Sequence, residues 1–214
     1  MSSADTLMAR DYAKAMAPFF ADGVVGSWVN GAIMPGKGDD IELIDPATGK
    51  AFLTFNDAGG DVVDAAMKAA VAGQRVWWAM TAAERGRILW KIGAQVRDHL
   101  EQLALLECVS AGKPIRDTLV EVLKVAEMFE YYAGWADKLA QVVGNANPVA
   151  GPFFNLSTPE PTGVVAVLAP EESSLLGLVS VIAPVIVSGN TAVVVSSYSR
   201  PLPAVNLAEV LATS

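Results

Sequence analysis

The stretch from Pro161 to Arg200 constrains the fold more than any other part of the chain. Two short runs rich in β-branched residues, Val164–Leu168 and Thr191–Val195, flank the apolar segment Leu175–Val187, which is long enough for a buried helix. A strand, a helix and a second strand in this order form a parallel βαβ unit, normally right-handed. Both strand runs are apolar throughout, which is typical of a parallel sheet covered on both faces. The sequence therefore predicts an α/β fold.

The same unit indicates where a ligand would bind. In open parallel sheets, ligands lie beyond the carboxyl ends of the strands. Here those ends lead into Pro170–Ser174 and Ser196–Tyr198, so these two loops form the candidate site. The first loop carries the acidic pair Glu171 and Glu172. Because adjacent side chains point in different directions, we expect these carboxylates to be solvated or to cap the following helix, and not to act as an acid/base pair.

The rest of the chain predicts a helical body with a small surface sheet. An amphipathic helix is expected over Asp5–Phe20, and Asn30-Gly31 predicts a type I′ hairpin turn. Segment 145–160, with its Pro, Gly and Asn, predicts an extended β-ribbon whose edge invites pairing with another chain. Other elements are expected at Ile41–Ile44, Ala51–Phe55, Asp61–Trp78, after the Thr81–Glu84 capping box, and at Leu100–Ser110, Ile115–Val143 and Pro201–Thr213.

Composition excludes several classes of function. The 214 residues carry a net charge of −8 with no basic patch, which argues against nucleic acid as a partner. One cysteine cannot form an internal disulfide and indicates a reducing compartment, so we expect a cytoplasmic protein. One cysteine and one histidine do not suffice for a zinc cluster, and we expect no metal site. Charged and helix-breaking residues interrupt the apolar region 164–195, so we expect a folded core and not a membrane span.

Seven short strings share an order and spacing that resembles the N-terminal, cofactor-binding part of the NAD(P)-dependent aldehyde dehydrogenases. They are Trp28-Val29-Asn30-Gly31, Asp45-Pro46-Ala47-Thr48-Gly49, Ala82-Ala83-Glu84-Arg85-Gly86, Gly112-Lys113-Pro114, Tyr131-Tyr132-Ala133-Gly134-Trp135-Ala136, Glu160-Pro161-Thr162-Gly163-Val164-Val165, and Ala183-Pro184 followed by Gly189-Asn190-Thr191. Each string is weakly specific, and their common order is what identifies the family. The resemblance covers about residues 24–214.

The resemblance implies a partial Rossmann-like fold with NAD or NADP as cofactor. It divides the chain into an N-terminal helix (1–23), the small sheet and helical part of the cofactor domain (24–144), an oligomerisation ribbon (145–160) and a βαβα unit (161–214). Full members of the family are more than twice this length, and their cysteine nucleophile belongs to a region beyond the part matched here. The expected partner is another aldehyde dehydrogenase chain or a second copy, bound through the ribbon and the open sheet edge.

The first strand-end loop departs from the family pattern. Where the family has Pro-Trp-Asn-Phe-Pro, this chain has Pro170-Glu171-Glu172-Ser173-Ser174. The family's asparagine amide helps to hold the oxyanion of the thiohemiacetal, and Glu172 occupies its position. An ionised carboxylate only accepts hydrogen bonds and would repel an oxyanion. Loss of one oxyanion donor typically costs about 10²–10³ in rate, so we expect this oxyanion position to be degenerate.

The second strand-end loop departs as well. The family's Lys-Pro-Ser-Glu, whose Lys and Glu bind the adenosine ribose, is replaced by Val195-Ser196-Ser197-Tyr198. Val195 has no donor and Tyr198 has no acidic acceptor, so the standard ribose clamp is missing. We expect a loop with no ligand, and binding of NAD or NADP by this chain is in doubt. The residues still placed to contact a cofactor are Ala169, Pro170, Glu171, Ser196, Ser197 and Tyr198.

No catalytic residue can be assigned. Cys108 precedes Gly112-Lys113-Pro114 and lies far upstream of the family's catalytic position, so we expect a core or half-buried residue. His99 has no Ser or Cys partner at useful spacing and is expected at a helix end on the surface.

Three hypotheses remain open. Ser173–Gly177 and Leu211–Ser214 resemble the degenerate second module of some aldehyde dehydrogenases, which favours a truncated or stand-alone copy acting as a non-catalytic companion of a full dehydrogenase. The chain is alternatively the N-terminal part of an active dehydrogenase, or a module that binds a different small ligand.

Overall fold

Two short antiparallel hairpins begin the part of the protein described by a computed structural model, residues 25–212. Strand β1 (Ser27–Val29) pairs with β2 (Ala32–Met34), and β3 (Asp40–Ile44) pairs with β4 (Ala51–Asn56). Asn30 and Gly31 have φ angles of 51° and 79°, as a type I′ turn requires, so the predicted turn is confirmed. The helix expected over Asp5–Phe20 lies outside the described residues.

A bundle of helices follows. Its members are α1 (Gly60–Ala79), α2 (Ala82–Asp98), α3 (Leu100–Ala111), α4 (Ile115–Trp135) and the short α5 (Leu139–Val143). The predicted capping box is confirmed, because Glu84 N donates to Thr81 Oγ1 over 3.3 Å and Thr81 N donates to Glu84 Oε2 over 2.7 Å. Gly112 ends α3 in the left-handed conformation, with φ of 67°.

The single helix predicted over Ile115–Val143 is wrong, because the chain turns at 136–138 between α4 and α5. Ala136 N donates to Ala133 O (3.3 Å) and Lys138 N to Trp135 O (3.0 Å), and these shorter-range bonds tighten the last turn. Lys138 Nζ also donates to the carbonyl oxygen of Gly134 over 2.5 Å. The apolar pattern does not reveal the break, since Ala136, the first residue of the turn, is still buried.

The segment 145–160 forms a ribbon with little pairing. Strand β5 (Asn145–Ala146) pairs antiparallel with β6 (Leu156–Ser157), and Asn147 N donates to Asn155 O over 2.8 Å. The tip between them leaves Phe153 and Phe154 exposed. The ribbon is therefore present as predicted, with its ladder confined to its base.

The predicted βαβ unit is confirmed. Strands β7 (Val164–Leu168) and β8 (Thr191–Val195) pair in parallel, joined by α6 (Ser174–Val187), and α7 (Leu202–Ala212) follows. At the start of the strands, Asn190 Oδ1 accepts from Gly163 N over 2.8 Å. The expectation of cover on both faces is wrong at the carboxyl ends, where Leu168 and Val195 are 73% and 56% exposed. Ala166, two residues before Leu168 and therefore on the same face of β7, is exposed as well, so this face is open toward the end of the strand.

One hydrophobic core joins the helices to the βαβ unit. The inner faces of α2 and α4 are buried there, together with residues of α6 and α7. Its buried members include Leu89, Ile92, Val96, Leu103, Val122, Val125, Ala126, Phe129, Leu175, Val179, Ala183 and Leu207. Full burial of each large aliphatic or aromatic side chain contributes about 1.5–3 kcal/mol, so this cluster fixes α6 against the bundle. Between residues 25 and 212, no helix is both long enough and apolar enough to cross a bilayer.

Candidate functional site

The carboxyl ends of β7 and β8 bring two loops side by side. Ala169 N donates to Val195 O over 2.9 Å, which extends the parallel pairing to the last residue before the first loop. The first loop, 170–173, leads into α6, and the second, 196–201, leads into α7. Both loops are therefore anchored at one end by the sheet and at the other by a helix of the core.

The carboxylate of Glu171 crosses from the first loop to the second. It accepts hydrogen bonds from Ser197 Oγ (2.7 Å), Tyr198 N (2.7 Å), Ser199 N (3.2 Å) and Ser199 Oγ (2.6 Å). Ser197 is only 1% exposed, so its hydroxyl is held in a fixed position. Consecutive donors of the second loop thus converge on one carboxylate of the same chain, and we call this set of donors, residues 197–199, the donor cluster.

These bonds determine the charge of Glu171. Hydrogen bonds from the Ser197 and Ser199 hydroxyls, with smaller contributions from backbone N–H groups, lower the pKa of Glu171 from 4.5 to about 2. The side chain is therefore ionised at any physiological pH. The expectation that Glu171 is solvated or caps α6 is wrong, because its carboxylate accepts its hydrogen bonds from residues 197–199 of the second loop.

Arg200 also links the two loops. Its Nη1 donates to the backbone carbonyls of Glu171 (3.0 Å) and Glu172 (3.4 Å), while its backbone N donates to Ser197 Oγ over 3.1 Å. The cation therefore holds the backbone of the acidic loop. Arg200 and Ser199 were missed in the sequence analysis, although the Ser-Tyr-Ser-Arg string directly follows a predicted strand.

The other candidate residues flank this contact. Pro170 packs against the first turn of α6, where a Cβ on Gly177 would lie 2.4 Å from Pro170 Cγ. Ala169 and Ser196 are half-buried at the strand ends, and Glu172 is exposed. The structure thus joins Glu171 directly to Ser197 and to the backbone of Tyr198, and it leaves the remaining candidates around them.

The polar groups left at the strand ends suit a sugar diol poorly. Val195 ends β8 without a polar side-chain atom, and the Tyr198 side chain is largely exposed. The Ser197 hydroxyl donates to Glu171 and accepts from Arg200, so its only donor and one of its two acceptor positions are used within the chain. An acidic acceptor is present in Glu171, but it is committed to the donor cluster.

A second carboxylate, which the sequence analysis missed, positions the start of α6. Glu107 on α3 is 1% exposed and accepts from Ser174 Oγ (2.6 Å) and from Leu175 N (3.5 Å). Burial raises its pKa above 4.5. A carboxylate near a helix N-terminus is favourable, and here it comes from a different helix. The available signal was a single acid in the apolar run Leu103–Val109.

Cys108 and His99 occupy structural positions. Cys108 is half-buried, as expected, and burial raises its thiol pKa, which is opposite to the shift of an activated nucleophile. His99 lies at the helix end between α2 and α3, as predicted, but it is half-buried and not on the surface, with Nδ1 2.9 Å from Gln95 O. Over residues 25–212, no three His, Cys, Asp or Glu side chains are grouped so that they could hold a metal ion.

The chain is similar to known aldehyde dehydrogenases over most of its length. Residues 33–214 match the sequence profile described as "Aldehyde dehydrogenase family". A Bacillus subtilis (strain 168) protein described as the aldehyde dehydrogenase DhaS is 33% identical over 196 residues, which are 90% of this chain and 39% of that protein. The chain thus spans about two fifths of the length of this curated relative.

Solved structures give the same result. PnpE from Pseudomonas sp. WBC-3, solved in complex with nicotinamide adenine dinucleotide, is 32% identical with a TM-score of 0.82 over 87% of this chain and 38% of its own. An aldehyde dehydrogenase from Bacillus cereus, in its NAD⁺ complex, is 27% identical with a TM-score of 0.85, over 92% of this chain and 40% of its own. The described fold is therefore that of the N-terminal part of these proteins.

Proposed function

This chain belongs to the aldehyde dehydrogenase family, and we propose that it is a non-catalytic companion module that pairs with a catalytic aldehyde dehydrogenase. One observation carries the proposal. The donors at the end of β8 are occupied by Glu171 of the same chain, at the place where the family resemblance puts the ribose of the cofactor. The core that supports both loops is complete, so the scaffold is kept while its ligand contacts are replaced.

The residues present do not fit NAD or NADP at this position. The family's Lys and Glu correspond to Val195 and Tyr198, which provide neither a cationic donor nor an acidic acceptor for a ribose diol. The remaining serine, Ser197, is engaged by Glu171 and Arg200. A cofactor would have to displace an ionised carboxylate and would then lie beside a second one, Glu172. The other candidate contacts, Ala169, Pro170 and Ser196, are proposed only as the walls of this position.

The first strand-end loop alters a further contact, the one to the oxyanion of the substrate. Glu172 takes the place of the asparagine that stabilises the oxyanion in the family, and its exposed carboxylate provides no donor in its ionised form. Cys108, whose thiol pKa is raised by burial, does not replace the family's nucleophile. We therefore expect no oxidation of aldehydes by the described residues alone.

Two exposed apolar features support the pairing role. The ribbon tip carries Phe153 and Phe154, and the carboxyl ends of β7 and β8 expose Leu168 and Val195. Exposed strand ends and large apolar side chains are favoured sites for association with another chain. A half-buried single cysteine is compatible with the reducing cytoplasm, where we propose that the assembly works.

The companion role is tested by mass and by activity together. Light scattering of the purified chain, alone and mixed with an aldehyde dehydrogenase from the same cell, should show a complex heavier than either component. In an NADH-formation assay with a panel of aldehydes, the chain alone should give no signal above a protein-free control. A clean monomer that leaves the dehydrogenase unchanged would contradict the companion role, and aldehyde-dependent NADH formation by the chain alone would contradict its non-catalytic character.

A second candidate is the N-terminal part of an active NAD(P)-dependent dehydrogenase. It is favoured by the match to two NAD-bound relatives over 87% and 92% of this chain but only 38% and 40% of theirs. Sequencing the reading frame downstream of the Ser214 codon separates the two candidates. A glycine-rich cofactor turn and a catalytic cysteine in that frame would favour the second candidate, and a stop codon would favour the first.

A further inference from the structure

We infer that residues 197–199 form a binding site for a small oxyanion, and that the carboxylate of Glu171 keeps this site filled as an internal ligand. The inference deepens the proposed function and rests on it, because it states what occupies the loop that no longer contacts a cofactor. The ligand class is a compact anion with several acceptor oxygens, such as inorganic phosphate.

The geometry of the donor cluster is that of an anion site. Two hydroxyls and two backbone N–H groups from Ser197, Tyr198 and Ser199 point at one group, at distances between 2.6 and 3.2 Å. Successive backbone N–H groups that converge in this way form a concave site for anions. Hydrogen bonds to an ionised acceptor are stronger than those between neutral groups. Phosphate, like a carboxylate, offers negatively charged acceptor oxygens.

One of the donors, Ser197, is held in place independently of Glu171. Arg200 N donates to Ser197 Oγ over 3.1 Å, and Ser197 is buried, so the loop is braced from within. Arg200 Nη1 is bound to the backbone carbonyl of Glu171, not to its carboxylate. Shortening the side chain of Glu171 therefore leaves the Arg200 contacts and the buried position of Ser197 in place, and it removes the acceptor of the donor cluster.

The position of Glu171 also explains why a free anion is excluded. The residue is exposed, so solvent and solutes reach the site from outside. A tethered group competes at an effective concentration in about the millimolar range or above. Phosphate at lower concentration cannot displace it, and the negative charges of Glu171 and Glu172 add repulsion. The intact chain should therefore respond to phosphate only weakly.

The test compares Glu171→Ala with Glu172→Ala, a control that removes a neighbouring carboxylate of equal charge. Inorganic phosphate is titrated by calorimetry into the full chain and both variants, with sodium chloride matched for ionic strength. We expect Glu171→Ala to bind phosphate about tenfold or more tightly than the parent chain, and Glu172→Ala to change affinity by less than about twofold. Adding Ser197→Ala and Ser199→Ala to Glu171→Ala should abolish the gain.

Three results would overturn the inference: equal phosphate affinity in the two single variants, a gain that survives loss of both serine hydroxyls, or a gain reproduced by chloride. If Glu171→Ala does not fold, Glu171→Gln carries the test, because its amide oxygen keeps one acceptor in place. Amide exchange at Tyr198 and Ser199 should then become faster than in the parent chain and slow again with phosphate; exchange insensitive to phosphate would reject the site. Failure here leaves the proposed function standing, since that function is judged by cofactor binding and activity of the parent chain.

Discussion

Two carboxylates lie close to the beginning of α6, and their environments differ in kind. Glu107 is buried between α3 and α6, where it accepts two hydrogen bonds and its pKa is raised. Glu171 is exposed between the strand-end loops, where it accepts four hydrogen bonds and its pKa falls to about 2. At the loops, the hydrogen bonds to Glu171 lower its pKa more than desolvation raises it. In the interior, desolvation raises the pKa of Glu107 more than its hydrogen bonds lower it.

The two contacts belong to regions with different roles in the molecule. The interior contact belongs to a packed core that resembles the known dehydrogenases in fold. The loop contact joins Glu171 to the donor cluster, at the position where we propose that a cofactor no longer binds. Substitutions that disturb one region and spare the other therefore distinguish effects on the core from effects on the strand-end loops.

The largest effect is expected at Gly189, on the scaffold side. Its φ is 90°, and a Cβ there would lie 2.6 Å from Trp78 Cε3. Gly189→Ala combines backbone strain with overpacking and should lower the free energy of unfolding by about 3 kcal/mol, measured by urea denaturation. Gly73→Ala is the matched control, because nothing lies within 4 Å of its added Cβ in α1. This control should be neutral or stabilising by up to about 1 kcal/mol.

A smaller loss of stability is expected at Gly177, which supports the acidic loop. An added Cβ would lie 2.4 Å from Pro170 Cγ, and a proline ring cannot rotate away. Gly177→Ala should cost about 1–3 kcal/mol in chemical denaturation and should speed amide exchange at Tyr198. Unchanged exchange at Tyr198 would show that the first loop does not hold the second.

The contribution of Glu171 should appear as a pH dependence. Because its pKa is lowered from 4.5 to about 2 in the folded protein, the stabilisation is fully present above about pH 4.5 and is lost as pH falls toward 2. Solvent screening limits it to about 1 kcal/mol. Thermal unfolding from pH 2 to 7 should show a shallower acid slope in Glu171→Gln than in the parent chain. The same flattening in Glu172→Gln would assign the slope to general charge instead.

Glu107 should show the smallest effect, with the opposite sign. Its raised pKa means that the buried charge is disfavoured at neutral pH, so its contribution to stability improves as pH falls through the raised pKa toward 4.5. Glu107→Gln removes the charge and keeps an acceptor for Ser174. The variant should lie within about 1 kcal/mol of the parent at pH 7 and lack this improvement at lower pH.

Glu101→Gln serves as the control for Glu107, because Glu101 is exposed on the same helix. Its unfolding curves should follow those of the parent chain at every pH. A loss of several kcal/mol in Glu107→Gln at pH 7 would instead indicate that the ionised form is required.

Much of the fold was predictable from local signals. The βαβ unit, the capping box and the Asn30-Gly31 turn follow from residue patterns over a few positions, and all are present. The break at 136–138 was not predictable, because the apolar pattern continues into the turn, where Ala136 is still buried.

The contacts of the candidate site were harder to predict than its location. The strand ends identified both loops, but the partners of Glu171 lie more than twenty residues away, and those of Glu107 more than sixty. Spacing within one element cannot reveal such pairs. The sequence places Val195 and Tyr198 where the family resemblance implies ribose ligands, while only the structure shows that Glu171 contacts the neighbouring donors.

Calorimetric titration of NAD and of NADP into the purified chain tests the central claim most directly, with the NAD-binding Bacillus cereus relative as positive control. The filled donor cluster and the loss of the ribose contacts predict no binding tighter than about 100 μM, which corresponds to about −5.5 kcal/mol. A heat signal that fits a tighter site for either dinucleotide would contradict the account.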